Sequence, residues 1–96
     1  MHARITTYRS KTDKLDEANE KVEAMKPEIM SIPGIKHWIS CADEEGNCTL
    51  VAIYQDKATL DAATPKALEL FGRFADYYES APDSRVYQVL HMESND

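Results

Sequence analysis

The sequence predicts an α+β fold of order β-α-β-β-α-β, and three observations predict it. Four short segments, 3–9, 35–41, 48–55 and 85–92, are rich in β-branched and aromatic residues. Between the first and second, and again between the third and fourth, apolar residues recur at spacings of three and four. Turn chemistry, "IPGI" at 32–35 and "DEEGN" at 43–47, falls where such an order needs it.

Each element has its own reason. "ARITTYR" is the first strand, and "SKTDK" after it supplies helix-start chemistry through Ser10, Thr12 or Asp13. Leu15, Ala18, Val22, Met25 and Ile29 then form one apolar stripe, with Asp16, Glu17, Glu20, Lys21 and Glu23 outside it. Pro27 is expected to kink the last turn or end the helix early. "IKHWISC" and "CTLVAIYQ" make a hairpin around Gly46, which is available for positive φ. Asp56 caps a short helical turn, "KATLDAA", and Thr64-Pro65 reads as a second helix start. Leu68, Phe71, Ala75 and Tyr78, widened by Ala67 and Phe74, form the stripe of that second helix. "SAPDS" at 80–84 breaks it, and "RVYQVLHM" is the fourth strand.

Right-handed crossovers turn this order into a ferredoxin-like domain spanning 1–96. Its four-stranded antiparallel sheet has strand order 4-1-3-2, with two helices on one face. The other face should then alternate apolar with polar, and it does not. Leu50, Ala52 and Tyr54 point to one side of the third strand, Val51 and Ile53 to the other. The second strand offers Ile35 and Ile39 on one side and Trp38 on the other; the fourth offers Val86, Leu90 and Met92 against Tyr87 and Val89. An uncovered apolar face of that size predicts a homodimer through the sheet face.

Composition excludes some partners. The net charge of −6 comes with no basic stripe, which argues against nucleic acid. No apolar run is long enough for a membrane span, and the N-terminal stretch lacks a signal peptide's apolar region, so a cytoplasmic protein is expected. Cys41 and Cys48 flank the hairpin loop and either pair across it or stay as reduced thiols; the compartment favours thiols.

The stretches "SIPGIKHWIS" and "TLVAIYQDKATLDAA", with the short polar link into the first helix, resemble the dimeric α+β barrel superfamily and, within it, antibiotic-biosynthesis-monooxygenase-like proteins. The resemblance runs along nearly the whole chain. It implies a small-molecule cavity between sheet and helices, lined at the end of the third strand by an aromatic that Tyr54 matches. Similar monooxygenases need no cofactor, neither metal nor flavin. They deprotonate an electron-rich phenol or anthrone whose carbanion reduces oxygen directly. A small aromatic or quinone-type molecule is the implied partner. The haem-degrading relatives use an asparagine on strand one, a tryptophan on strand three and a histidine on helix two. This chain has Thr6 or Thr7, Tyr54, and no histidine between 56 and 80.

Such chemistry asks for a base or hydrogen-bond partner and a donor to a developing oxyanion. His37, Tyr54 and Arg73 are the catalytic candidates; Trp38, Tyr54, Phe71, Phe74 and Tyr78 are the candidates for lining the ligand. Tyr54 is either a cavity residue or an amphipathic core residue with its hydroxyl at the rim. Gly72, between bulky neighbours in "LFGRF", marks close packing or room for a ligand. No metal site is expected: His37 and His91 fall on opposite edge strands, roughly 14 Å apart, and His2 with His91 lacks a carboxylate. A non-catalytic binder or structural homodimer is the alternative function.

Overall fold

In a computed structural model, which describes residues 1–95, the chain forms four strands and two long helices. They are β1 (His2–Ser10), α1 (Leu15–Met30), β2 (Ile35–Ala42), β3 (Asn47–Tyr54), α2 (Lys57–Gly72) and β4 (Tyr78–Gln88), with single 3-10 turns at Thr12–Lys14 and Ala75–Tyr77. The sheet has the order β2-β3-β1-β4 with every neighbour antiparallel, which is the expected 4-1-3-2 arrangement read from the other edge. Among the described residues no helix is long and apolar enough to cross a membrane.

The glycines at the two turns have separate reasons. Gly46 closes the β2–β3 hairpin at φ +88°, and a Cβ there would sit 2.5 Å from the carbonyl oxygen of Ser10. Asp43 completes the hairpin by accepting the backbone N–H groups of Glu45 and Asn47, each at 2.9 Å. Gly34, at φ +84°, lies hard against the Thr59 side chain, which ties the turn after α1 to the first turn of α2.

Pro27, expected to kink or end its helix, and Pro65, expected to start a second one, both lie inside continuous helices. Pro27 costs α1 one ladder bond, yet the helix runs on to Met30, where the Ser31 hydroxyl donates to the Glu28 carbonyl at 2.7 Å. Pro65 sits inside α2, which is one continuous helix rather than two. Thr64 is therefore not a cap; its hydroxyl bonds back to the Leu60 carbonyl at 3.1 Å. Asp56 does cap, in a reciprocal pair with Thr59: it accepts the Thr59 N–H at 2.8 Å, and its own N–H donates to the Thr59 hydroxyl.

Three expectations change. β4 starts at Tyr78 and ends at Gln88, so 80–84 belongs to the strand and Val89, Leu90 and Met92 lie beyond it. The buried side of α2 is Leu60, Ala63, Ala67 and Leu70, whereas Leu68 is exposed. Gly72 has open space where its side chain would be, so close packing does not explain it. The β4 and α2 errors share a cause: "RFADYYESAPDS" carries both a helical spacing and proline-serine turn signals, and β1 recruits it into the sheet regardless.

β2 holds a bulge. Ile35 pairs with Tyr54 and His37 with Ile53, so Lys36 is the extra residue. The bulge places Ile35 and Trp38 on the same side of the sheet and sends Ile39 to the other, reversing the expected grouping. β3 follows its expected alternation, with Leu50, Ala52 and Tyr54 toward the helices. The core lies between that face and the helices, around Met25, Ile29, Ile32, Tyr54, Leu60, Ala63 and Leu70.

Candidate active site

Strand alternation sends Arg4, Thr6, Tyr8 and Ser10 of β1 toward the helices, beside Leu50, Ala52 and Tyr54 of β3. These positions, with Trp38 from β2, floor a cavity of about 80 Å³ roofed by α1, α2 and the segment after α2. A closed apolar space of about 150 Å³ takes one benzene ring. The space here therefore suits several waters or a small ligand, and a ring enters only if side chains move aside.

Trp38, Tyr54, Phe71, Phe74 and Tyr78, the five residues expected to line a ligand, all lie on the wall of this cavity. The catalytic candidates separate. Tyr54 is in the wall and only 1% exposed. His37 pairs with Ile53 and turns to the opposite side of the sheet. Arg73 stands on the outer surface of the helices, donating to Glu28 at 2.8 and 3.0 Å and to Glu69 at 2.6 Å. Glu28 also pairs with Lys66, so it clamps α1 to α2 outside the cavity. Arg73 and Lys66 hold the Glu28 carboxyl down to about 2, and the carboxylates of Glu28 and Glu69 in turn raise Arg73.

The two ends of the cavity differ chemically. At one end the Tyr8 and Tyr78 rings meet edge to face with centroids 4.9 Å apart, above the buried Cys48. Burial, and then the neighbouring Cys48, raises Tyr8 strongly and pushes Tyr78 up to about 12. Burial likewise pushes the Cys48 thiol up. The Tyr78 hydroxyl donates to the Phe71 carbonyl at 3.0 Å. These are protonated donors at neutral pH, not bases. Cys41 pairs with Thr49 and Cys48 with Ala42, so the cysteines point to opposite faces and both are free thiols; a disulfide between them is excluded.

The other end holds a residue that sequence reading passed over. Arg4 is 6% exposed, the one charged side chain buried among the described residues. It donates to the Tyr54 hydroxyl at 3.2 Å, the Leu60 carbonyl at 3.2 Å and the Thr64 hydroxyl at 2.6 Å. Its guanidinium also lies 5.5 Å from the centre of the Tyr54 ring. Period-two alternation would have found it, once Tyr54 was taken as inward and β1 set beside β3. An arginine in a strand otherwise reads as solvent-facing.

No family model and no curated protein matches this chain. Solved structures do. A candidate antibiotic biosynthesis monooxygenase from Nitrosomonas europaea superposes with a TM-score of 0.76 at 21% identity, over 95% of this chain and 100% of that one. A second Nitrosomonas europaea protein, of unknown function, gives 0.81 at 14% identity over 99% and 94%. A further candidate monooxygenase, from Deinococcus radiodurans, gives 0.77 at 7% identity over 100% and 99%. The fold is that of the antibiotic-biosynthesis-monooxygenase-like proteins. At these identities the likeness carries the architecture, and chemistry must come from the residues.

Proposed function

We propose that this chain is a cytoplasmic homodimeric enzyme of the antibiotic-biosynthesis-monooxygenase type, oxidising a small aromatic or quinone-type metabolite without a cofactor. The observation that carries this reading is an apolar cavity with two polar groups, the Tyr54 hydroxyl and the Arg4 guanidinium, at one end. In the reaction a hydroxy-aromatic ionises to its phenolate, and the ring carbon ortho or para to the oxygen, which shares the negative charge and still carries its hydrogen, gives an electron pair to O₂. A C–O bond forms to a hydroperoxide, and loss of water leaves a carbonyl. Tyr54 and Arg4 stabilise the phenolate and the enolate that follows it; Trp38, Phe71, Phe74 and Tyr78 exclude water. His37 and Arg73 stand outside the cavity of one chain, so this scheme gives them no part in it.

The pairing surface in this proposal is the outer face of the sheet. Ile5, Val51 and Ile53 meet there across β1 and β3, and Ile39 and Tyr87 flank them at 50% and 48% exposure. A second copy placed on that surface removes large apolar side chains from water at about 25 cal/mol per Å².

Oxygen uptake with a panel of small hydroxy-aromatics tests the reaction. Consumption matched by quinone formation, reduced about 100-fold by Tyr54→Phe, is expected. No consumption across the panel overturns it. One observation favours a second reading, a binding protein without catalysis: no histidine, aspartate or glutamate among the described residues lines the cavity, so any base must come from the ligand's own ionisation.

A further inference from the structure

Arg4 carries a full positive charge at any physiological pH, yet none of its partners is charged. Its acceptors are two hydroxyls and a peptide carbonyl, and it takes part in none of the ion pairs among the described residues. A buried cation without a counter-ion is costly to the fold, so its place calls for a compensating role. One neighbour sharpens the asymmetry. The Tyr54 hydroxyl accepts from Arg4, and its own proton has no acceptor among the described residues. A cation and an unused O–H donor thus sit side by side on the wall of an otherwise apolar space.

We propose that the natural ligand carries an anionic oxygen, a carboxylate or a phenolate, on a small apolar frame, and that Arg4 and Tyr54 hold that oxygen together. This rests on the reading of the cavity as the ligand site and narrows its substrate class to acids. The geometry is a charge-assisted pair of donors on one oxygen atom, which a neutral ligand of the same shape does not satisfy. The frame is held to one ring at most, and even that enters only as cavity side chains move aside.

The test is an NMR titration of the intact protein with benzoate against benzamide, and with 4-nitrophenol above its ionisation pH against 4-nitroanisole. The Trp38 indole and Tyr54 ring signals report entry into the cavity. The expected result is that one anion binds at least about tenfold more tightly than its neutral counterpart. Which anion it is separates carboxylate from phenolate recognition. Arg4→Gln should abolish the preference of anion over neutral probe. Where Arg4→Gln does not fold, Arg4→Lys keeps the charge without the planar fork and should lower the preferred anion's affinity severalfold. Equal affinities for anion and neutral probe overturn the role of Arg4 and leave the cavity reading standing. An anion preference that persists in Arg4→Gln, or is untouched in Arg4→Lys, does the same. Failure of all four probes to move the Trp38 and Tyr54 signals overturns both.

Discussion

From Ala3 to Thr6, β1 turns polar residues inward and apolar residues outward, the reverse of an ordinary half-buried strand. Arg4, Thr6 and Ser10 are buried against the helices, while Ala3 and Ile5 face away from them. On β3 both faces are apolar: Leu50 and Ala52 look into the cavity, and Val51 and Ile53 look outward. The difference teaches that the inner face brings polar groups to the wall of a cavity beneath the helices, whereas the outer face is the surface on which the proposed second copy would sit. Two kinds of burial are built from one alternating strand pair.

The comparison breaks most severely through the core. Leu60 is 1% exposed, and Leu60→Ala should cost about 3 kcal/mol by chemical denaturation, within the usual range of about 2–5. Ile39→Ala on the outer face should cost under about 0.5 kcal/mol if the surface stays wet. A larger, concentration-dependent loss for Ile39→Ala marks the surface as an interface. Next in size is assembly itself. The wild type should scatter light as twice the 10.9 kDa chain, and Val51→Glu should return it to the single-chain mass with its circular dichroism unchanged. A wild-type mass of one chain at high concentration refutes the dimer.

A smaller effect of the opposite sign is expected from Arg4→Met, which replaces the buried cation with an apolar side chain of similar length. Stability should rise by about 1 kcal/mol in thermal unfolding, since no lone charge is left behind. A clear loss instead would make Arg4 a structural tie between β1 and α2. The smallest effect belongs to neither face. Glu28 is held below its ordinary value by Arg73 and Lys66, so its contribution is present above about pH 4.5 and disappears as pH falls toward about 2. Glu28→Gln should flatten that acid limb of the pH–Tm curve and leave cavity binding intact.

Much of this architecture was legible because it rests on period and turn chemistry. The strand order, the Asp56 cap, the Gly46 hairpin and the alternation of β3 all follow from local residues whose preference agrees with the fold. The aromatic wall of the cavity was legible for the same reason, since Trp38 and Tyr54 sit in strands, Phe71 in the last turn of α2 and Phe74 just beyond it. Where reading failed, tertiary pairing overrode a local signal. β1 extends β4 back to Tyr78 through a proline-containing stretch, and the single extra residue in β2 reversed the faces of Trp38 and Ile39. Arg73 was misplaced because a helical arginine next to phenylalanines looks the same whether it points inward or toward Glu28. Arg4 was missed because charge in a strand is ordinarily solvated, and only register shows otherwise.

The extra residue at Lys36 has a consequence for how such a site diversifies. Paired without it from Ile35 onward, β2 would set His37 opposite Ala52 and turn Trp38 to the far side of the sheet. The chamber would exchange an indole, which has no basic nitrogen, for an imidazole. A slip of one peptide unit on an edge strand would therefore supply the proton acceptor that this chamber lacks, with no change of sequence around it.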